Sequence, residues 1–184
     1  MRLDLFNNAS FKRGRPAWVE ALWLAAQSAL LSSGIPGSRH RVFLLRLFGA
    51  KIGEGVVFKP GLRVKFPWRL SVGDYSWIGE EVWIDNLAEV SIGKHACISQ
   101  GSYFCTGSHD YKSVRFDLIT APIHVGDHVW ICAKSTLAPG VTAETGAVLG
   151  LGSVATRRLK PWTVYKGSPA REVRERPNSL EDEP

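Results

Sequence analysis

The sequence predicts a mainly β solenoid behind a short helical leader. Three observations carry that prediction: a six-residue beat of aliphatic and aromatic positions from Ile52 to Ala155, a glycine after many of them, and a switch from helical to hexad spacing near Ala50. The chain has 184 residues, 45% hydrophobic and 22% charged, which suffices for one well-cored domain. Such apolar content excludes a disordered chain, and the 18 Gly and 10 Pro show no collagen-like triplet period. Three cysteines without C-x-x-C spacing suggest neither a disulfide framework nor a structural zinc site.

Residues 1–50 form the leader. Residues 1–16 are polar and basic (Lys12, Arg13, Arg15) and show no apolar run or cleavage site of a signal peptide, so the expected location is the cytoplasm. From Ala17 to Ser33, Trp18, Leu22, Ala26 and Leu30 recur at helical spacing. The mainly apolar part covers residues 21–31, against roughly 20 residues needed to span a bilayer. A second helical segment, Arg39 to Phe48, carries Val42, Leu45 and Phe48 with Arg39, Arg41 and Arg46 among them. Basic amphipathic helices of this kind lie on a membrane interface or pack on their own domain, and the sequence leaves both open. Residues 1–70 hold 12 Lys+Arg against 3 Asp+Glu and the remainder 11 against 14, so the overall +6 is N-terminal in origin. No nucleic-acid-binding motif accompanies the charge, and none is expected as a partner.

The repeat occupies residues 51–175. Ile52, Phe58, Val64 and Leu70 form one run; Val72, Ile78, Ile84 and Val90 the next; Ile92, Ile98 and Phe104 a third; and Val125, Ile131, Leu137, Ala143, Leu149 and Ala155 continue in step. The fifth position of each hexad is mostly small or β-branched, as in Ser76, Val82, Ala96, Ser102, Ser135, Ala147 and Ser153. Three hexads make a triangular turn, with large first positions on the axis, small fifth positions at the bends, and glycine where corner angles are required. Val72 and Ile92 each begin 20 residues after the preceding start, one turn plus a two-residue bulge. Ile92 to Val125 is 33 residues, so a segment of about 105–122 must leave the solenoid. Residues 176–184 read as an acidic C-terminal tail.

The segments VWIDN (82–86), TGSHDY (106–111), VGDHVWICAKSTLAPGV (125–141), LGLGSV (149–154) and YKGSPAR (165–171) resemble those of the hexapeptide-repeat acyltransferases, most closely the colanic-acid-biosynthesis type of O-acetyltransferase. The resemblance implies a left-handed parallel β-helix, a homotrimer with sites between subunits, and acetyl-CoA as donor to a saccharide hydroxyl. It also implies an exopolysaccharide intermediate as acceptor, which would give the basic leader a place at the inner face of the membrane.

A sugar hydroxyl is a poor nucleophile until its proton is taken, and a neutral imidazole suits that task near pH 7. His109 stands at the start of the excursion, where its side chain can reach beyond its own prism, and the resemblance makes it the general base. Asp110 or Asp85 are the candidates to orient it. Cys105 is the rival nucleophile, read here as a packed hexad residue. The resemblance places sugar contacts at Asp85 and Asn86, whose other reading is a corner Asx turn. It places the CoA groove at Trp130, Ala133, Gly150, Leu151 and Thr156. Arg157, Arg171 and Arg174, in a basic cluster with Arg158, Lys160 and Lys166, supply charge for the CoA phosphates. No metal is expected. Two alternatives remain: a zinc hydratase on the same solenoid with His95, His124 and His128 as ligands, and a non-catalytic trimeric scaffold.

Overall fold

In the computed structural model, which describes residues 1–178, strands of two or three residues wind into a three-sided parallel β-helix. The hexad beat becomes the register. Ile52, Val72, Ile92, Val125 and Ala143 pair in succession on the first side. Phe58, Ile78, Ile98, Ile131 and Leu149 do so on the second. Val64, Ile84, Phe104, Leu137 and Ala155 line the third. All these side chains point to the axis and are buried. Fifth-position serines are buried as well, and each closes a backbone gap: Ser76 Oγ donates to Gly93 O (2.7 Å) and Ser135 Oγ to Gly150 O (2.8 Å).

The hexad glycines have a different reason from the one their position suggests. Gly73 and Gly79 do not take left-handed angles; a Cβ on Gly73 would lie 2.7 Å from the Gly93 carbonyl carbon and from Lys94 N in the next turn. Close approach of successive backbones demands glycine there. Left-handed angles fall two residues later, often on ordinary residues: Tyr75 (φ 56°), His95 (52°) and His128 (57°). Their rings stack in a column along one corner, Tyr75 on His95 at 5.4 Å and His95 on His128 at 5.2 Å. Gly73→Ala should therefore cost about 1–3 kcal/mol by overpacking. Chemical denaturation would read it, and an unchanged midpoint would show that the turns can spread.

The leader caps the open end. Helix α1 (Ala17–Ala26) runs into one wider π-helical stretch (Gln27–Leu31), and α2 (Arg39–Leu47) follows. Polar leader atoms occupy the unpaired backbone of the first turn: Trp23 Nε1 donates to Val64 O (2.7 Å), Gln27 Oε1 accepts from Val64 N (2.6 Å), and Ser38 Oγ accepts from Phe58 N (2.8 Å). An edge that would template aggregation is thereby satisfied. At the other end, Thr163–Gly167 and Ala170–Glu175 form an antiparallel hairpin against the second side.

Two of the three α2 arginines are not lipid-facing. Arg41 is fully buried and donates to Leu31 O, Ser33 O, Ile35 O and Gly37 O, while Arg46 holds Ile52 O and Gly53 O. Burial lowers the Arg41 pKa from its ordinary value. Carbonyls of a looped leader, lacking strand partners, draw the guanidinium inward. Of the acidic tail, residues 179–184 lie outside the described residues.

Candidate active site at the third corner

The corner from the third side to the first is enlarged in three successive turns. The first holds a short 3₁₀ turn (Pro67–Arg69), and the second a two-residue excess around Leu87. The third carries the excursion, whose base is an antiparallel hairpin of Gly107–His109 with Leu118–Thr120. Asn86, expected to face a sugar, instead brackets the first two enlargements. It is fully buried, its Oδ1 accepting from Phe66 N (2.8 Å) and its Nδ2 donating to Phe66 O (2.7 Å). Both ends of the amide bond to backbone and the side chain is fully buried, so it presents no surface to a ligand.

His109 is half-buried in the hairpin, with Nδ1 2.8 Å from Phe116 O. A carbonyl can only accept, so Nδ1 carries the proton, and in the neutral ring Nε2 keeps its lone pair. The Phe116 ring lies flat on the imidazole (4.2 Å between centroids, 1° between planes), and Phe6 meets it edge-on at 5.5 Å. Phe116 has φ 54°, left-handed backbone at a bulky residue, in the turn that brings both its carbonyl and its ring to His109. Neither expected carboxylate orients the ring. Asp110 accepts from Lys112 N in a local turn, and Asp85 belongs to another cluster.

In that cluster Asp85 Oδ2 accepts from Tyr103 Oη (3.2 Å), and Lys65 Nζ lies 3.2 Å from Oδ1 at an angle unsuited to a hydrogen bond. Burial first, with Cys105 and Asp85 adding to it, holds the Tyr103 phenol far above its ordinary pKa. Trp83 stacks on Tyr103 at 4.6 Å, with Arg63 over its other face. Cys105 is half-buried, and its Sγ donates to Gly107 O (3.1 Å).

The expected CoA residues occupy different places. Trp130 is half-exposed on the second side, Nε1 bonded to Ser99 Oγ (3.0 Å). Ala133 and Leu151 follow it in adjacent turns at the corner between second and third sides, where Gly152 N reaches Ala133 O (3.0 Å). A Cβ on Gly150 would sit 2.7 Å from Lys166 Cγ and 3.1 Å from Tyr165 O, so the Lys166 side chain would have to shift. Thr156 and Arg157 lie at the corner of the excursion, two turns beyond Cys105. Arg171 and Arg174 are exposed on the terminal hairpin. Arg158 and Lys160 pair with Glu144 (2.9 Å) and Glu172 (3.0 Å), whereas Arg157, Arg171 and Arg174 make no ion pair among the described residues.

The zinc geometry does not form. His95 and His128 stack with planes 3° apart, and His124 Nδ1 is 2.8 Å from Ser91 Oγ on the first side. No group of three or more His, Cys, Asp or Glu residues suited to a metal exists among the described residues. Sequence reasoning missed Phe116 and Phe6, because no periodicity relates either to His109.

No protein-family model matches the chain. It is 44% identical over 165 residues to WcaF of Escherichia coli (strain K12), assigned by name to colanic acid biosynthesis as an acetyltransferase, covering 89% of this chain and 91% of that one. It is 31% identical over 171 residues to nodulation protein L of Rhizobium meliloti (strain 1021), covering 91% and 92%. The fold matches the hexapeptide-repeat acetyltransferase VCA0836 of Vibrio cholerae O1 biovar eltor, solved with acetyl coenzyme A, with TM-score 0.79, 28% identity and coverage of 90% and 92%.

Proposed function

Since this chain belongs to the hexapeptide-repeat acetyltransferases, we propose that it moves an acetyl group from acetyl-CoA to a hydroxyl of a saccharide, with His109 as general base. The observation that carries the reading is the capped imidazole: Phe116 O fixes the proton on Nδ1 and leaves Nε2 as acceptor. Nε2 takes the hydroxyl proton as the oxygen attacks the thioester carbonyl. The tetrahedral intermediate then expels the CoA sulfur, which receives that proton from the imidazolium. Backbone N–H groups of the adjoining turns are the natural oxyanion donors. No acyl-enzyme is needed, and the Cys105 thiol is engaged by Gly107 O.

Asp85, in its cluster with Tyr103 and Lys65, is the proposed sugar contact. Trp130, Ala133, Gly150 and Leu151 are the proposed pantetheine groove, with Arg157, Arg171 and Arg174 for the CoA phosphates. Trp130 and His109 stand on different parts of one prism, which supports a trimer in which a neighbouring copy completes each site. The name of its relative WcaF, a colanic acid biosynthesis acetyltransferase, supports an exopolysaccharide intermediate as the proposed acceptor. The test is incubation with labelled acetyl-CoA and a panel of saccharides, with mass analysis of products. Acetylated sugar is expected; thioester hydrolysis alone, or no turnover on any sugar, would overturn the reading.

No helix among the described residues is long and apolar enough to cross a membrane. Peripheral contact is a separate proposal, supported by Trp18 (66% exposed) and Phe43 (68% exposed) on the leader. Arg41 and Arg46 are internally engaged, so fewer leader cations remain to contribute, each worth about 1 kcal/mol near anionic lipid, and the exposed apolar side chains would add to them. Trp18→Ser with Phe43→Ser should lower co-sedimentation with anionic vesicles; equal binding would remove the membrane role.

A further inference from the structure

We propose that residues 2–6, at the extreme N-terminus, act as a clamp that holds the excursion in its working form, with Phe6 as a positioning residue for the imidazole. The inference rests on His109 being the base. The segment approaches the excursion at two points. Arg2 N donates to Val114 O (2.8 Å), pinning the turn that ends in Phe116, and Phe6 sets its ring edge-on to His109 at 5.5 Å. Phe116 supplies both the Nδ1 acceptor and a stacking face, so whatever fixes the 113–116 turn also fixes the direction of Nε2.

The clamp has its own anchor. Phe11 stacks on Phe66 (6.3 Å), and the Arg69 guanidinium lies over both rings while donating to Lys12 O and Leu87 O. Trp68 Nε1 donates to Arg13 O (2.8 Å). Residues 11–13 are thus fastened to the first enlargement, and residues 2–6 reach across to the third. Beside this anchor lies an open cavity of about 540 Å³ lined by Ser10, Lys12, Arg69, Glu89 and, from the strand that pairs with that of His109, Thr120. The solenoid core contains none of residues 1–6. Their contacts therefore serve the excursion more than the fold.

A displacement of an ångström in a reacting group can cost about 10²-fold in rate. Phe6→Ala is accordingly expected to lower kcat about 10- to 100-fold, with KM for acetyl-CoA within twofold and an unchanged melting curve. Phe6→Tyr, which keeps the ring edge, should retain most of kcat. An activity-independent readout is the long-range ¹H–¹⁵N imidazole spectrum of histidine-labelled protein, with the His109 signals assigned by their loss in His109→Gln. Wild type should show a single Nδ1–H form when neutral. Phe6→Ala, and a chain lacking residues 2–6, should show exchange between the two neutral forms. An unchanged spectrum in both variants, or a Phe6→Ala kcat equal to wild type, would overturn the proposal. If wild-type protein acetylates no sugar, the proposed function fails, while the spectrum still decides whether the clamp exists.

Discussion

Replacing His109 with alanine is expected to lower acetyl transfer by about 10²–10⁴-fold, the usual contribution of a positioned base, without loss of the proposed trimer or of CoA affinity. The imidazole packs on Phe116 and Phe6, both outside the solenoid core, so its removal leaves the hexad ladders untouched. Steady-state kinetics on a verified acceptor, with calorimetric titration of CoA, separate lost chemistry from lost binding. Cys105→Ala is the control. Its thiol donates to Gly107 O, and no acetyl-enzyme enters the proposed reaction, so activity should be retained. Near-normal turnover in the His109 variant, or acetyl found on Cys105 as a competent intermediate, would refute the mechanism while leaving the fold standing.

The second large effect is on stability. Trp23→Ala should destabilise the protein by about 3–5 kcal/mol, the range for emptying a buried aromatic site. The indole is fully buried, lies 5.1 Å from the Phe48 ring, and donates to Val64 O at the open edge of the first turn. Trp23→Phe refills much of the volume but orphans that carbonyl, so its loss should be smaller, about 1–3 kcal/mol. Equilibrium denaturation orders the two variants. If both match wild type, the leader is an appendage and not a cap.

The hexads were legible because an axis-facing side chain every sixth residue is imposed by the triangular turn itself. The 33-residue step from Ile92 to Val125 likewise revealed the excursion before any coordinates, and the pairing of those two residues accounts for it. What escaped were contacts without a period. Phe116 lies seven residues from His109 and Phe6 more than a hundred; neither distance carries a pattern. Asn86 did carry a signal that was overlooked. It stands 20 residues after Phe66, the same step as Ile52 to Val72, and that is the spacing of a bracket between turns. Arg41 looked amphipathic because the sequence cannot show how many loop carbonyls its guanidinium would gather.

The in-register pairing of Val90–Ile92 with Ile123–Val125 means that the solenoid resumes on the far side of the excursion as though nothing had intervened. Its ladders are indifferent to how many residues pass between Phe104 and Ile123. Closing a loop twice as long costs only about 0.6 kcal/mol more. Selection can therefore lengthen, shorten or exchange this segment, and with it the surroundings of His109, while the scaffold that carries it stays constant. Insertions and deletions at a single junction can thus remake what surrounds that imidazole, with no need to redesign the frame.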